Sequence, residues 1–177
     1  MKFGVLSAAL AASVIAAPPA AAEMVGEDVA VCRGGRGPAV LADIVGLKDR
    51  HGEIRLELYP ANQNDFLRAD YELIDAGKVF RRVRSAPPAA GPVSMCLKLP
   101  APGRYAMVFT HNRAGKDKFN IWRDGAGIVK PVPLGYQQPR YELATIDAGA
   151  GMMHVTIHVQ YLRGLRGFRP ATSERDD

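Results

Sequence analysis

His111, Asn112, Trp122, Asp124 and Tyr136 are the side chains whose types and spacing best suit a binding site in this sequence. His111 ends an apolar run, and a long polar, turn-rich stretch follows it. An imidazole, an amide and a carboxylate therefore fall where strand ends and loops commonly carry binding groups. In that reading Trp122 and Tyr136 supply flat apolar faces, while His111 and Asp124 supply polar contacts. The plainer alternative has Trp122 capping a core and His111 bonded to backbone. His154 and His158 are the other conspicuous pair. At about 3.3 Å per strand residue they stand about 13 Å apart on one strand face, too far to hold one ion between them.

Catalytic spacing is missing. The chain has no Gly-x-Ser-x-Gly elbow, no phosphate-binding glycine loop and no His-Glu-x-x-His helix. Asp49 with Glu53, and Asp65 with Asp70, are acids of turns and helix caps, which need no catalytic role. The reading is of a protein that is not an enzyme and needs no metal or cofactor. Arg81 and Arg82 lack interleaved aromatic residues beyond Phe80, so no nucleic-acid partner is expected.

Cys32 and Cys96 are the only cysteines. They read as a structural disulfide, because their spacing is not that of a Cys-x-x-Cys redox pair and no further ligands stand nearby for a metal. Closing a loop of about 65 residues is worth roughly 4 kcal/mol on a chain-entropy argument.

These groups must be positioned by short strands. Glu53-Ile-Arg-Leu-Glu-Leu-Tyr59 alternates with period two, placing Ile54, Leu56 and Leu58 on one face, and Pro60 ends it. Strands are also expected over 39–45, 78–85, 93–99 and 104–111. In 93–99, Cys96 lies opposite Val93, Met95, Leu97 and Leu99. Two more are expected over 140–146 and 152–161, the last placing Met153, Val155, Ile157, Val159 and Tyr161 on one face. Residues 65–76 carry helical spacing, with Asp65 as N-cap and Gly77 as stop. Residues 112–139 read as a long surface connection. Six to eight strands with single apolar faces pack best as two antiparallel sheets face to face.

Residues 1–22 decide the expected compartment. Lys2, an apolar run over 3–17 and Ala20-Ala21-Ala22 read as a cleavable secretory signal, with Pro18-Pro19 breaking it before a cut at Glu23. The apolar run is shorter than the about 20 residues a membrane span needs, so no transmembrane segment is expected in the mature chain. A segment 23–37 carrying Cys32, a β-sandwich domain over 38–164 and a charged tail over 165–177, expected to be disordered, follow in order. With 23 Lys plus Arg against 18 Asp plus Glu, the net charge of +5 leaves anionic envelope surfaces open as partners.

The order of segments resembles the exported bacterial family called domain of unknown function 2141. The matching pieces are Gly46-Leu47, Gly52-Glu-Ile-Arg-Leu-Glu-Leu-Tyr59, Phe66-Leu67, Leu99-Pro-Ala-Pro-Gly-Arg-Tyr-Ala106, His111-Asn112, Lys118-Phe119 and the closing strand 155–161. The resemblance implies an immunoglobulin-like or transthyretin-like antiparallel β-sandwich, all-β, with one short helix in a connection. Relatives usually follow the strand with His-Asp and a run rich in Asp, Asn and Gly, suggestive of a cation-binding loop. Here His111-Asn-Arg-Ala-Gly-Lys-Asp-Lys118 carries three cations and one carboxylate, which does not suit a hard divalent ion. The expected function is a periplasmic or secreted, non-enzymatic sandwich that binds or organises a cell-envelope component or protein. The alternative is a carbohydrate or other small-ligand module using the 112–139 region.

Overall fold

Alternation of apolar and polar residues builds the two sheets. In the computed structural model, which describes residues 21–116 and 118–170, eleven strands and three short helices run in the order β1 (Glu23–Val25), α1 (Val29–Arg33), β2 (Ala39–Val45), β3 (Glu53–Pro60), α2 (Asp70–Asp75), β4 (Arg81–Ser85), β5 (Val93–Lys98), β6 (Gly103–Asn112), β7 (Gly125–Ile128), α3 (Tyr141–Ala144), β8 (Thr145–Ala148), β9 (Met152–His158), β10 (Gln160–Leu162) and β11 (Phe168–Pro170). The secretory signal lies outside the described residues except for its last two, and so do Asp117 and 171–177.

The smaller sheet has the order β1-β5-β2-β9. The larger is β11-β10-β7-β6-β3-β4, with β8 continuing the β7 side of β6. Between them lies the main core: Val40, Ala42, Val93, Met95 and Ile157 from one sheet meet Ile54, Leu56, Leu58, Met107 and Phe109 from the other. The molecule is thus an all-β sandwich.

Each sheet also carries a cover on its outer face. On the smaller one, α1 sits over β5 and β2, pinned by the Cys32–Cys96 disulfide with Cα atoms 6.0 Å apart. On the larger one, Tyr59, Ala106, Val108 and Ile128 are buried under Phe66, Leu73 and Ala144 from the connections. The apolar run of β6 is explained by this: it is covered on both faces.

Several expectations change. The sheets are not purely antiparallel, because β1 pairs with β5 and β2 with β9 in parallel. The helix expected over 65–76 is confined to α2. Asp65 does not cap it but closes a turn, its N–H donating to Asn62 Oδ1 at 3.0 Å while its carboxylate accepts from Lys78 Nζ at 2.5 Å. The strand expected over 140–146 is α3 followed by β8. The run 152–161 is two strands, since the chain passes from one sheet to the other at Val159, whose N–H donates to Val45 O. Its alternation survives because both sheets face one core. Residues 164–166 form a single 3-10 turn and 168–170 form β11, so the described part of the charged end belongs to the larger sheet.

Most consequential for the site, β7 lies inside the stretch read as surface connection. Gly-Ala-Gly-Ile has little strand propensity of its own. Tertiary crowding demands these glycines: a Cβ on Gly125 would stand 2.5 Å from the Tyr161 ring, and one on Gly127 2.6 Å from Ile157 Cγ2.

Candidate functional site

Strand parity decides which side chains of β6 and β7 are available. Met107, Phe109 and His111 point between the sheets, whereas Val108, Thr110 and Asn112 point outward. With Ala126 and Ile128 of β7 and Glu57 of β3, Val108 and Thr110 floor a cleft on the outer face of the larger sheet. Its walls are Leu67, Phe119, Ile121 and the 134–139 segment, with Phe168 at one end. This apolar part has a volume of about 400 Å³, within the range of small-ligand pockets.

A polar part of about 270 Å³ adjoins it and shares Glu57, Leu67, Thr110 and Phe119. Its own lining brings Arg55, Arg82, Asn112, Lys116 and Asp124 together. Most of this charge is already matched. Glu57 accepts from the Tyr59 hydroxyl at 3.0 Å and from Arg82 Nε; Arg82 Nη1 donates to Asp70 at 2.7 Å, and its guanidinium stands 4.9 Å over the Phe80 ring. Burial opposes the Arg82 charge, but Glu57 and Asp70 outweigh it and raise its pKa. The Arg82 hydrogen bond holds Asp70 below the ordinary carboxylate value. Burial, reinforced by Glu57, pushes the Tyr59 hydroxyl far up, so it stays protonated.

Asp124 is almost wholly buried and closes the 113–124 loop. Its carboxylate accepts N–H groups from Arg113 at 2.9 Å, Ala114 at 3.1 Å and Asn120 at 2.7 Å. Asn112 is different. It is 4% exposed, and Nδ2 donates to Lys116 O at 2.8 Å, while Oδ1 is buried without any hydrogen-bond partner. A buried carbonyl left unpaired costs about 1–3 kcal/mol. Leu67, on the wall of both parts, has φ 62°, a left-handed conformation that a γ-branched side chain adopts only under constraint. Both features lie on the lining of the polar part.

Of the residues singled out from sequence, Asn112, Asp124 and Tyr136 line the cleft, and His111 and Trp122 do not. His111 is fully buried on the other side of the sheet. Its Nε2–H donates to His51 O at 2.8 Å, which leaves Nδ1 to accept the Tyr161 hydroxyl proton at 2.7 Å; Tyr161 Oη in turn accepts Lys48 N–H at 3.0 Å. It locks the 46–52 turn to β6 and β10. Trp122 caps nothing: it is 78% exposed, on the turn beside Ile121. His154 and His158 sit on β9, a sheet edge, and no three His, Cys, Asp or Glu side chains gather as a metal site among the described residues.

Sequence reasoning missed Glu57, Leu67, Thr110, Phe119, Ile121 and Ala126. The readable signal was the double-faced apolar run of β6, which requires a cover on its outer face and hence room for a cleft under that cover.

No curated protein and no solved structure matches this chain. The cleft, apart from Phe168, lies within residues 42–156, which match one family over more than half of the chain. On that match the chain belongs to the bacterial family described as "Uncharacterized protein conserved in bacteria (DUF2141)".

Proposed function

We propose that this protein is an exported, non-enzymatic binding module of the cell envelope, and that the cleft on its larger sheet holds an amphipathic ligand. The apolar body of the ligand lies along Val108, Ala126, Ile128 and Leu134, and its polar end donates a hydrogen bond to the Asn112 carbonyl and sets an anionic group against the Lys116 ammonium. The observation that carries this reading is the unpaired Asn112 Oδ1 in the polar part of the cleft, which adjoins the apolar part. Export is supported by the signal-like 1–22 stretch and by the disulfide, a bond that persists in oxidising compartments. Among the described residues the cleft lining holds no Ser, Cys or His.

Anilinonaphthalene sulfonate, with an apolar ring system, an anilino N–H donor and an anionic end, is the probe for the test. Ala126→Phe fills the cleft floor and is expected to weaken its binding roughly tenfold or more, with the unfolding midpoint kept within a few degrees. Ile121→Lys, at an exposed wall, keeps the test usable if the first variant folds poorly. Unchanged affinity in a folded variant overturns the site.

A second reading, a carbohydrate module, is favoured by one observation, the exposed Trp122 ring. It predicts a blue shift or quenching of this single tryptophan on adding glycans; no response across a broad panel removes it.

A further inference from the structure

The rim of the cleft has a composition that its interior does not explain. Phe119, Ile121, Trp122, Tyr136 and Leu165 are all large, apolar or aromatic, and exposed; Leu165 is wholly so. They come from three separate segments that meet at one edge of the larger sheet. The Phe119 ring lies 6.0 Å from that of Phe168, Gly135 pairs with Phe168, and the Tyr136 hydroxyl donates to Gly164 O. Scattered exposed apolar residues need no explanation, but five gathered on one edge do.

The same segments are cationic. Lys118 and Arg123 flank the first group, and Arg166 and Arg169 flank Leu165; all four are exposed. Asp117 is the one acid in the sequence of 113–123, where it stands against Arg113, Lys116, Lys118 and Arg123, and 163–170 has none. Aromatic and aliphatic side chains projecting from a cationic background match the interface of an anionic bilayer, where rings settle at headgroup depth and each nearby Lys or Arg gains from the surface potential. A protein partner would need matching acids and pockets; a bilayer needs only this chemistry.

We infer that this rim seats on an anionic phospholipid surface, with Trp122 and Leu165 entering the interface and Lys118, Arg123, Arg166 and Arg169 facing the headgroups. The inference rests on the envelope reading above and names its component; it does not require the cleft to be filled.

Flotation of the mature chain with vesicles tests it, using phosphatidylcholine mixed with phosphatidylglycerol against phosphatidylcholine alone. The chain from Glu23 onward includes Asp117, Glu174, Asp176 and Asp177, acids outside the described residues, so their effect is included in the outcome. At low salt the bound fraction on anionic vesicles is expected to exceed that on neutral vesicles roughly tenfold and to fall as salt is added. Lys118→Glu with Arg166→Glu is expected to abolish the difference, and Trp122→Ser with Leu165→Ser to weaken binding while preserving its salt dependence. Equal binding to both vesicle types, no binding at low salt, or full binding by the charge-reversed variant overturns the inference. The cleft variant Ala126→Phe separates the two ideas: a wild-type bound fraction with lost probe binding leaves the rim standing alone, and lost flotation with unchanged rim residues overturns the rim's independence.

Discussion

At the scale of single residues, the imidazole of His111 is held neutral by burial, which lowers its pKa below the ordinary 6.5. Asp49, Arg113 and Asp124 also face it, the two acids opposing that shift and Arg113 adding to it. The unfolded chain therefore takes up a proton first as pH falls. The sign follows: the His111 contribution is intact above about pH 6.5 and is lost as pH drops through its folded pKa. Asp49 works in a separate window. The Arg113 hydrogen bond holds its carboxyl at about 2, so what it adds disappears only below the unfolded value near 3.8. Denaturant unfolding at pH 7.5 and pH 5 is expected to show weaker stability at the lower pH. His111→Gln should cost about 1–3 kcal/mol at pH 7.5 and flatten that dependence; an unchanged slope in the variant would assign the acid sensitivity elsewhere. Sequence placed His111 correctly at a strand end beside a polar loop. Its direction was not legible, because Tyr105, Ala106, Met107, Val108 and Phe109 are all apolar, so the run carries no parity from which to choose a face.

At the scale of elements, β3 was legible to within one residue, since its Ile54, Leu56 and Leu58 face is apolar while Glu53, Arg55 and Glu57 stand on the other, and Pro60 is its last residue. β7 was not, since its defining property, room for the Tyr161 ring and Ile157, belongs to its neighbours rather than to its own side chains. Gly127→Ala puts a methyl group 2.6 Å from Ile157 Cγ2 and 2.9 Å from His158 O, a backbone atom that cannot swing away. A loss of about 1–3 kcal/mol is expected in denaturant unfolding, together with weaker probe binding, because Ala126 and Ile128 of the same strand floor the cleft. The N-terminal cover makes the opposite case. Two cysteines 64 residues apart implied a staple, and the structure adds that the staple holds β1 and α1 against β5. Cys32→Ala with Cys96→Ala is expected to cost roughly 4 kcal/mol. Amide exchange should rise first in β1 and α1; uniform acceleration instead would mean that the bridge supports the whole sandwich.

At the scale of the whole molecule, two sheets facing one core were foreseeable from period-two patterns, and the outer covers were not. The cover over the larger sheet is assembled from Phe66, Leu73, Val132, Leu134 and Ala144, drawn from connections with no shared periodicity, and only folding brings them together. The cleft is the gap that this cover leaves, so it was legible only as a demand for burial on the second face of β6. A gap of this kind couples ligand to stability, because a ligand that binds the folded chain alone raises its unfolding free energy by mass action. At a hundred times its dissociation constant an amphiphile should add about 2.7 kcal/mol, or roughly 5–10 °C in a domain of this size. Divalent cations should leave the midpoint where it is: the Asp124 carboxylate is filled by three backbone N–H groups and the loop around it is cationic. Thermal unfolding of residues 23–177 with anilinonaphthalene sulfonate, with calcium and with a chelator checks both statements. A shift with calcium that the chelator reverses would make the 113–124 loop a cation site, whereas a shift with the amphiphile that Ala126→Phe removes places the ligand on the floor of the cleft.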